Sequence, residues 1–258
     1  MASVFITGSA DGLGKTAAQL LVAQGHAVTL HARSPERCRD ALAAVPGAAG
    51  AIAGDLSSIA ATKEVAAQAN KLPAFDAIIH NAAIGSGERK RISTVDGLPE
   101  VFAVNALAPY ILTCLIQRPR RLIYMSSGLH RGGDAGLGDL TWERRPWNGF
   151  AAYSDSKLCD VFLAFAVARK WKDVLSNAVD PGWVATKMGG PGAPDSLEEG
   201  SATQAWLAVS EDKAALASGH LFYHRKQRDA HPAASAPEAQ EKFLADCKRI
   251  SGVGFPGQ

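Results

Sequence analysis

Ser3-Val4-Phe5-Ile6-Thr7-Gly8-Ser9-Ala10-Asp11-Gly12-Leu13-Gly14 decides the fold. A short apolar, β-prone run, Ser3 to Ile6, leads into a glycine-rich turn, and an Ala-rich helical segment follows. In that strand–turn–helix unit Gly8 supplies the tight turn, Gly12 lets backbone approach a phosphate, and Gly14 allows close helix–strand packing. The helix start offers free N–H groups to an anion. The spacing is Gly-x-x-x-Gly-x-Gly rather than Gly-x-Gly-x-x-Gly, so its position after the first strand carries the cofactor reading. Working outward, short apolar runs recur at Ala27 to His31, Gly50 to Ala53, Ala77 to His80, Arg121 to Met125, Leu175 to Val179 and His220 to Phe222. Longer helical patterns lie between them. The alternation predicts one domain over 1–258, an α/β doubly wound parallel sheet of about seven strands with helices on both faces and ligands at the strand carboxyl ends. A short helix is expected from Glu238 to Arg249.

Tyr153-Ser154-Asp155-Ser156-Lys157 sets a phenol and an ammonium four residues apart at the start of an apolar helical run. On a helix they share one face and reach one ligand. A phenol is a poor acid near neutrality, and a neighbouring cation favours its ionised form. The pair therefore suits proton transfer in a carbonyl/alcohol interconversion, although a solvated helix face would give the same spacing.

Together with these two stretches, Asp55-Leu56, Asn81-Ala82-Ala83, Asn105, Ser126-Ser127 and Asp180-Pro181-Gly182-Trp183-Val184-Ala185-Thr186 resemble, in order and separation, the short-chain dehydrogenase/reductase family. The resemblance runs through most of the chain and implies a Rossmann-type domain and an NAD(P)(H)-dependent oxidoreductase. It implies a catalytic tetrad of Asn105, Ser127, Tyr153 and Lys157. Ser127 would hold the substrate oxygen, Tyr153 would carry the proton, and Lys157 would assist the phenol and hold a ribose hydroxyl. Asn105 would anchor a water linking the lysine to solvent. For the cofactor it implies Gly8, Ser9, Asp11, Gly12, Leu13 and Gly14 in the turn, Asp55 and Leu56 at the adenine, and Asn81, Ala82 and Ala83 along the centre. Tyr153, Lys157, Pro181, Gly182, Val184 and Thr186 would lie at the nicotinamide end. Two departures occur: His80 stands where asparagine is commoner, and Ala83 replaces a glycine.

Cofactor preference is read at the end of the second strand, Leu30-His31-Ala32-Arg33. A carboxylate there would accept from the adenosine ribose, whereas an arginine pairs with a 2′-phosphate. No acid is present and Arg33 is well placed, so NADP(H) is favoured over NAD(H). Arg37, or no residue, remains an alternative reader.

Between Ser127 and Tyr153 lies a long stretch, 128–149, that resembles the insertion of retinol-dehydrogenase-like members and carries Asp139-Leu140-Thr141-Trp142-Glu143. Trp142 and Trp147 either line an apolar substrate wall or pack the insertion against the body. A Gly/Pro-rich run from Lys187 to Pro194 suits a mobile lid, taken as 187–205. With 258 residues, 47% of them hydrophobic, the chain can bury one substantial core, and a formal charge of +2 gives no reason to expect nucleic acid or an anionic membrane. Cys38, Cys114, Cys159 and Cys247 show no ligand spacing, nor do the histidines, so no metal site is expected and reduced thiols in a cytoplasmic protein are the default. The first strand begins close to Met1, which leaves no room for a signal peptide, and no apolar run approaches a membrane span. The expected partner is a small, apolar alcohol or carbonyl compound. Family dimers or tetramers form through the long helices, whereas the charged face and insertion favour a monomer. A dinucleotide-binding sensor without turnover stays open beside the enzyme, although nothing would oblige a sensor to keep the four tetrad residues together.

Overall fold

The computed structural model describes residues 1–257. Its strands are β1 (Ser3–Ile6), β2 (Ala27–Ala32), β3 (Gly50–Ala53), β4 (Ala77–His80), β5 (Arg121–Met125), β6 (Leu175–Asp180), β7 (Leu221–Tyr223) and β8 (Lys226–Arg228). They form one sheet in the order β3-β2-β1-β4-β5-β6-β7-β8. All pairings are parallel except that of β8 with β7. The chain direction across the sheet reverses between β1 and β4, which opens a crevice at their carboxyl ends. The seven expected strands are all present, within a residue or two at their ends. β8 adds an eighth, folded back through His224 and Arg225, both with positive φ (47° and 61°). Its Lys-Gln-Arg sequence carries no apolar pattern, and all three residues are exposed.

The helices are α1 (Gly12–Ala23), α2 (Pro35–Ala44), α3 (Ile59–Ala69), α4 (Glu100–Phe102), α5 (Ala108–Leu115), α6 (Gly149–Lys170), α7 (Leu197–Val209) and α8 (Pro237–Ser251). Alternation along β1 sorts the two cores. Val4 and Ile6 point to a layer built with α1, α2 and α7, while Phe5 points to the larger layer under α3, α5, α6 and α8. α6 is buried around nearly its whole circumference, with 15 of its 22 residues out of solvent. α8 covers its outer side, where Phe243 meets Phe162 with ring centroids 6.4 Å apart. The expected helix at Glu238 to Arg249 is therefore present, two residues longer at its carboxyl end, and it closes the core.

Two segments differ from the expected loops. α7 begins at Leu197, because Ser196 and Glu199 form a reciprocal capping box, so the loop after Thr186 ends near Ser196 rather than at 205. The 128–149 stretch opens with a 3-10 turn, Gly128–Gly132, and is pinned to α6. Asp134 N donates to Asp155 Oδ1 at 2.7 Å, and Arg145 pairs with Asp155 while its guanidinium lies 3.6 Å over the Trp142 ring. Trp142 and Trp147 meet edge to face at 5.3 Å, and Trp147 Nε1 donates to Glu88 O at 3.0 Å. No described helix is long and apolar enough to cross a membrane.

Candidate active site

The crevice at the strand ends is a cavity of about 1120 Å³. Its floor begins at the glycine turn. Gly8 has φ +61°, and a Cβ there would stand 2.7 Å from Ala82 Cα, so the turn accepts only glycine. Gly14 is as constrained: its Cβ would lie 2.4 Å from Asn81 Nδ2 and 2.5 Å from Gly8 O. Asn81 is the tie that needs this closeness, donating from Nδ2 to Thr7 O at 3.0 Å and to Gly8 O at 3.1 Å. At Gly12 the nearest foreign atom to a Cβ is Thr186 Cγ2 at 3.9 Å, so the amino end of α1 faces open space. Its partial positive charge is aimed at whatever fills that space.

His31, at the end of β2, holds the turn from the other side. Gly8 N donates to its Nδ1 at 3.0 Å, and Nε2–H points to Gly54 O at 3.0 Å. Those two bonds fix one neutral tautomer, and burial pushes the imidazole down to about 4. Beyond it, Arg33 and Arg37 border the cavity from the exposed end of β2 and the start of α2. Arg33 makes no ion pair among the described residues, whereas Arg37 lies 3.9 Å from Asp40. Asp55 and Leu56 close the same end of the cavity.

At the opposite end, α6 brings Tyr153 and Lys157 to the wall, and β5 ends there in Ser126 and Ser127. Ser127 Oγ caps the 3-10 turn by accepting from Leu129 N at 3.2 Å. Its carbonyl is held by the His130 ring at 2.6 Å, and His130 in turn accepts from His231 N at 3.1 Å. The Lys157 ammonium stands 5.8 Å from the Tyr153 ring centroid and donates to Met125 O at 2.7 Å and Asp160 Oδ2 at 2.9 Å. The Tyr153 hydroxyl points to Met188 Sδ at 3.8 Å. Met188 belongs to the loop after Thr186, whose folded course is set by Trp183 Nε1 donating to Gly189 O (2.9 Å) and by a Lys187–Asp11 ion pair across the crevice.

Every residue expected in the tetrad or at the cofactor lines this cavity except Ser9, Gly14 and Asn105. Ser9 is fully buried, its hydroxyl donating to Ile6 O (2.9 Å) and accepting from His31 N (2.8 Å), so it braces the turn and does not face a ligand. Gly14 lies behind the turn. Asn105 sits in a π-helical turn, Ala103–Leu107, between α4 and α5. Its side chain is engaged with Ile84, accepting from the N–H at 2.8 Å and donating to the carbonyl at 3.0 Å, and with Ser156 Oγ at 3.0 Å. It therefore shapes the Ile84 wall from behind, with its side chain committed to those partners. Trp142 and Trp147 do not line the cavity; they pack the insertion beneath Tyr153. Met188, from the expected lid, borders the cavity, and so do His31, Tyr223 and Arg228, to which the sequence alone assigns no role. Of those three only His31 carried a signal, its place at the end of β2.

An α/β domain with a glycine turn at its switch point and a tyrosine–lysine pair on the facing helix defines a dinucleotide-dependent oxidoreductase. The family model for short chain dehydrogenases matches residues 2–128. An uncharacterized oxidoreductase of Emericella nidulans is 48% identical, covering 100% of both chains. Retinol dehydrogenase 13 of Homo sapiens is 30% identical, covering 98% of this chain and 86% of that protein. A solved structure of an uncharacterized protein from Mycobacterium paratuberculosis has a TM-score of 0.83 over 99% of this chain and 95% of that one; at 22% identity the likeness is one of fold. The chain belongs to the short-chain dehydrogenase/reductase family and is an NAD(P)(H)-dependent enzyme acting on CH–OH and C=O groups.

Proposed function

We propose that the protein interconverts an apolar alcohol and its carbonyl compound with NADP(H), Tyr153 carrying the proton. The observation that supports this most is the convergence of Ser127, Tyr153 and Lys157 on the same cavity as the glycine turn. A bound nicotinamide dinucleotide supplies the hydride for reduction and accepts it for oxidation. Cavity size and the space beside Gly12 fit such a group, and the amino end of α1 would hold its pyrophosphate. Asp55 and Leu56 would flank the adenine, Ala82 and Ala83 the middle of the molecule, and Pro181, Gly182, Val184 and Thr186 the nicotinamide end. Arg33, without a carboxylate partner among the described residues, would pair with the 2′-phosphate.

Ser127 Oγ–H donates to the substrate oxygen and orients it. During reduction Tyr153 gives that oxygen its phenolic proton, and during oxidation it takes the proton back. Lys157 brings positive charge to the phenol and donates to a ribose hydroxyl. Asn105 fixes the Ile84 wall, and the loop from Lys187 to Ser196 acts as a lid whose Met188 leaves the Tyr153 hydroxyl when substrate enters. Leu129, Trp183 and Met188 give the substrate end its apolar character. The 128–149 segment supports α6 beside this end, the whole chain acting as one domain, and the four buried thiols suit the reducing cytoplasm. The test is consumption of NADPH, and separately of NADH, against a panel of aldehydes and ketones that includes retinal. Turnover favouring NADPH supports the proposal, and equal or NADH-favoured turnover contradicts the cofactor assignment.

A further inference from the structure

The Lys157 ammonium ends in a buried ion pair that the proton-transfer chemistry above leaves unused. Asp160 stands three residues further along α6, on the same face. The two side chains are 3% and 2% exposed, and the Nζ–Oδ2 distance is 2.9 Å. Among the described residues Asp160 has no other hydrogen-bond donor, so a carboxylate nearly cut off from water depends on a single cation. Removing solvent from a charge at this depth costs several kcal/mol unless a partner compensates, and Lys157 is that partner. The Met125 carbonyl, 2.7 Å away, accepts a second ammonium proton. Lys157 is thus clamped between the end of β5 and the next turn of its own helix.

We propose that Asp160 is a positioning residue for the proton-transfer pair: its carboxylate pins the Lys157 ammonium against the Met125 carbonyl and offsets the charge that this ammonium presents to Tyr153. The inference rests on the reading of Tyr153 and Lys157 as that pair. When Asp160 is ionised the Lys157–Asp160 couple is neutral overall, and when it is protonated the couple carries a full positive charge beside the phenol. The titratable groups around Asp160 are Lys157 and Cys159 on α6 and Tyr124 on β5, with Cys114 on α5 and His80 on β4 in contact with Tyr124 or near it. Burial keeps Tyr124, Cys114 and Cys159 in their neutral forms and pushes the His80 imidazole down to about 3. Burial also pushes the Asp160 carboxyl up, with Lys157 pulling the other way.

Asp160→Asn tests this with the shape and one acceptor oxygen retained and the charge removed. The readout is tyrosinate absorbance as pH is raised, taken as the difference between each protein and its own Tyr153→Phe counterpart, with neither cofactor nor substrate present. Tyr110 and Tyr124 are pushed far up by burial and stay out of the titration. The Tyr153 signal of the Asn protein should appear about one pH unit lower than that of the wild type, the effect of removing an anion 2.9 Å behind a cation that stands 5.8 Å from the ring. An unchanged midpoint, or one displaced to higher pH, overturns the proposal and leaves Asp160 a structural ion-pair partner. If the Asn protein does not fold, Asp160→Ser carries the same expectation. Failure of the Tyr153 reading itself would show differently, as turnover that survives Tyr153→Phe.

Discussion

Replacing Gly14 by alanine puts a methyl group into the tightest point of the nucleotide turn. The new Cβ would stand 2.4 Å from Asn81 Nδ2, 2.5 Å from Gly8 O and 3.0 Å from Ser9 Cα, two of them backbone atoms that cannot rotate away. Overpacking of this kind costs about 1–3 kcal/mol. Relief by moving Asn81 breaks its bonds to Thr7 O and Gly8 O, at about 1 kcal/mol each. Alanine's better helix propensity returns up to about 1 kcal/mol, because Gly14 lies in the first turn of α1. The net expectation is a loss of about 2–4 kcal/mol in urea unfolding, together with at least a tenfold loss of NADPH affinity by fluorescence titration. Gly50→Ala is the control: nothing lies within 4 Å of its Cβ, and stability should hold within about 0.5 kcal/mol. A Gly14→Ala protein as stable as the wild type would refute the argument that the Asn81 tie sets the turn.

Arg33→Ala should weaken NADPH by about 1.5–3 kcal/mol, the scale of a charge-assisted bond, and leave NADH nearly unchanged; equal losses in binding titrations would remove Arg33 from the 2′-phosphate. Met188→Ala uncovers the Tyr153 hydroxyl, so kcat/KM for bulky carbonyls should rise several-fold more than for small ones, and a uniform change across the panel would contradict the lid. The residue is 49% exposed, so stability should fall by no more than about 1 kcal/mol. His31 is neutral in the folded protein down to about pH 4, whereas an unfolded histidine takes up its proton near 6.5, so its share of stability falls away as pH drops through that window. Between pH 7 and 4.5 the urea stability of His31→Gln should therefore drop by about 2 kcal/mol less than that of the wild type. Asp160 changes in the opposite sense over the same range, so the comparison is between the two proteins, and parallel pH curves would contradict it.

The sheet was legible because parallel strands buried on both faces read as short apolar runs, and the runs at Ala77 to His80 and Arg121 to Met125 match strands to the residue. β8 was hidden because its side chains are polar and its turn uses His224 and Arg225, not the Asn-Gly that announces a hairpin. The length of the loop after Thr186 was overread, although Ser196-x-x-Glu199 carried the capping signal. Within the site, helical spacing brought Tyr153 and Lys157 to one wall and the family resemblance added Ser127, but neither could separate residues that face the cavity from those that brace it. Ser9 and Asn105 are braces, and only their burial and hydrogen bonds reveal it. The Trp142–Trp147 pair was open in sequence because an apolar ring fits a pocket wall and a packed insertion equally well; stacking under Arg145 and bonding to Glu88 O place it in the second. Asp160 was readable as i+3 to Lys157, yet its meaning needed the depth at which the two charges meet.

The central claim is that the Tyr153 hydroxyl carries the proton, and the most direct measurement compares Tyr153→Phe with the wild type in turnover and in NADPH affinity on the same preparations. The account predicts turnover lost by at least 10²-fold, the scale of general acid–base catalysis, with NADPH binding within a few-fold of the wild type. Turnover retained in the Phe protein would contradict it.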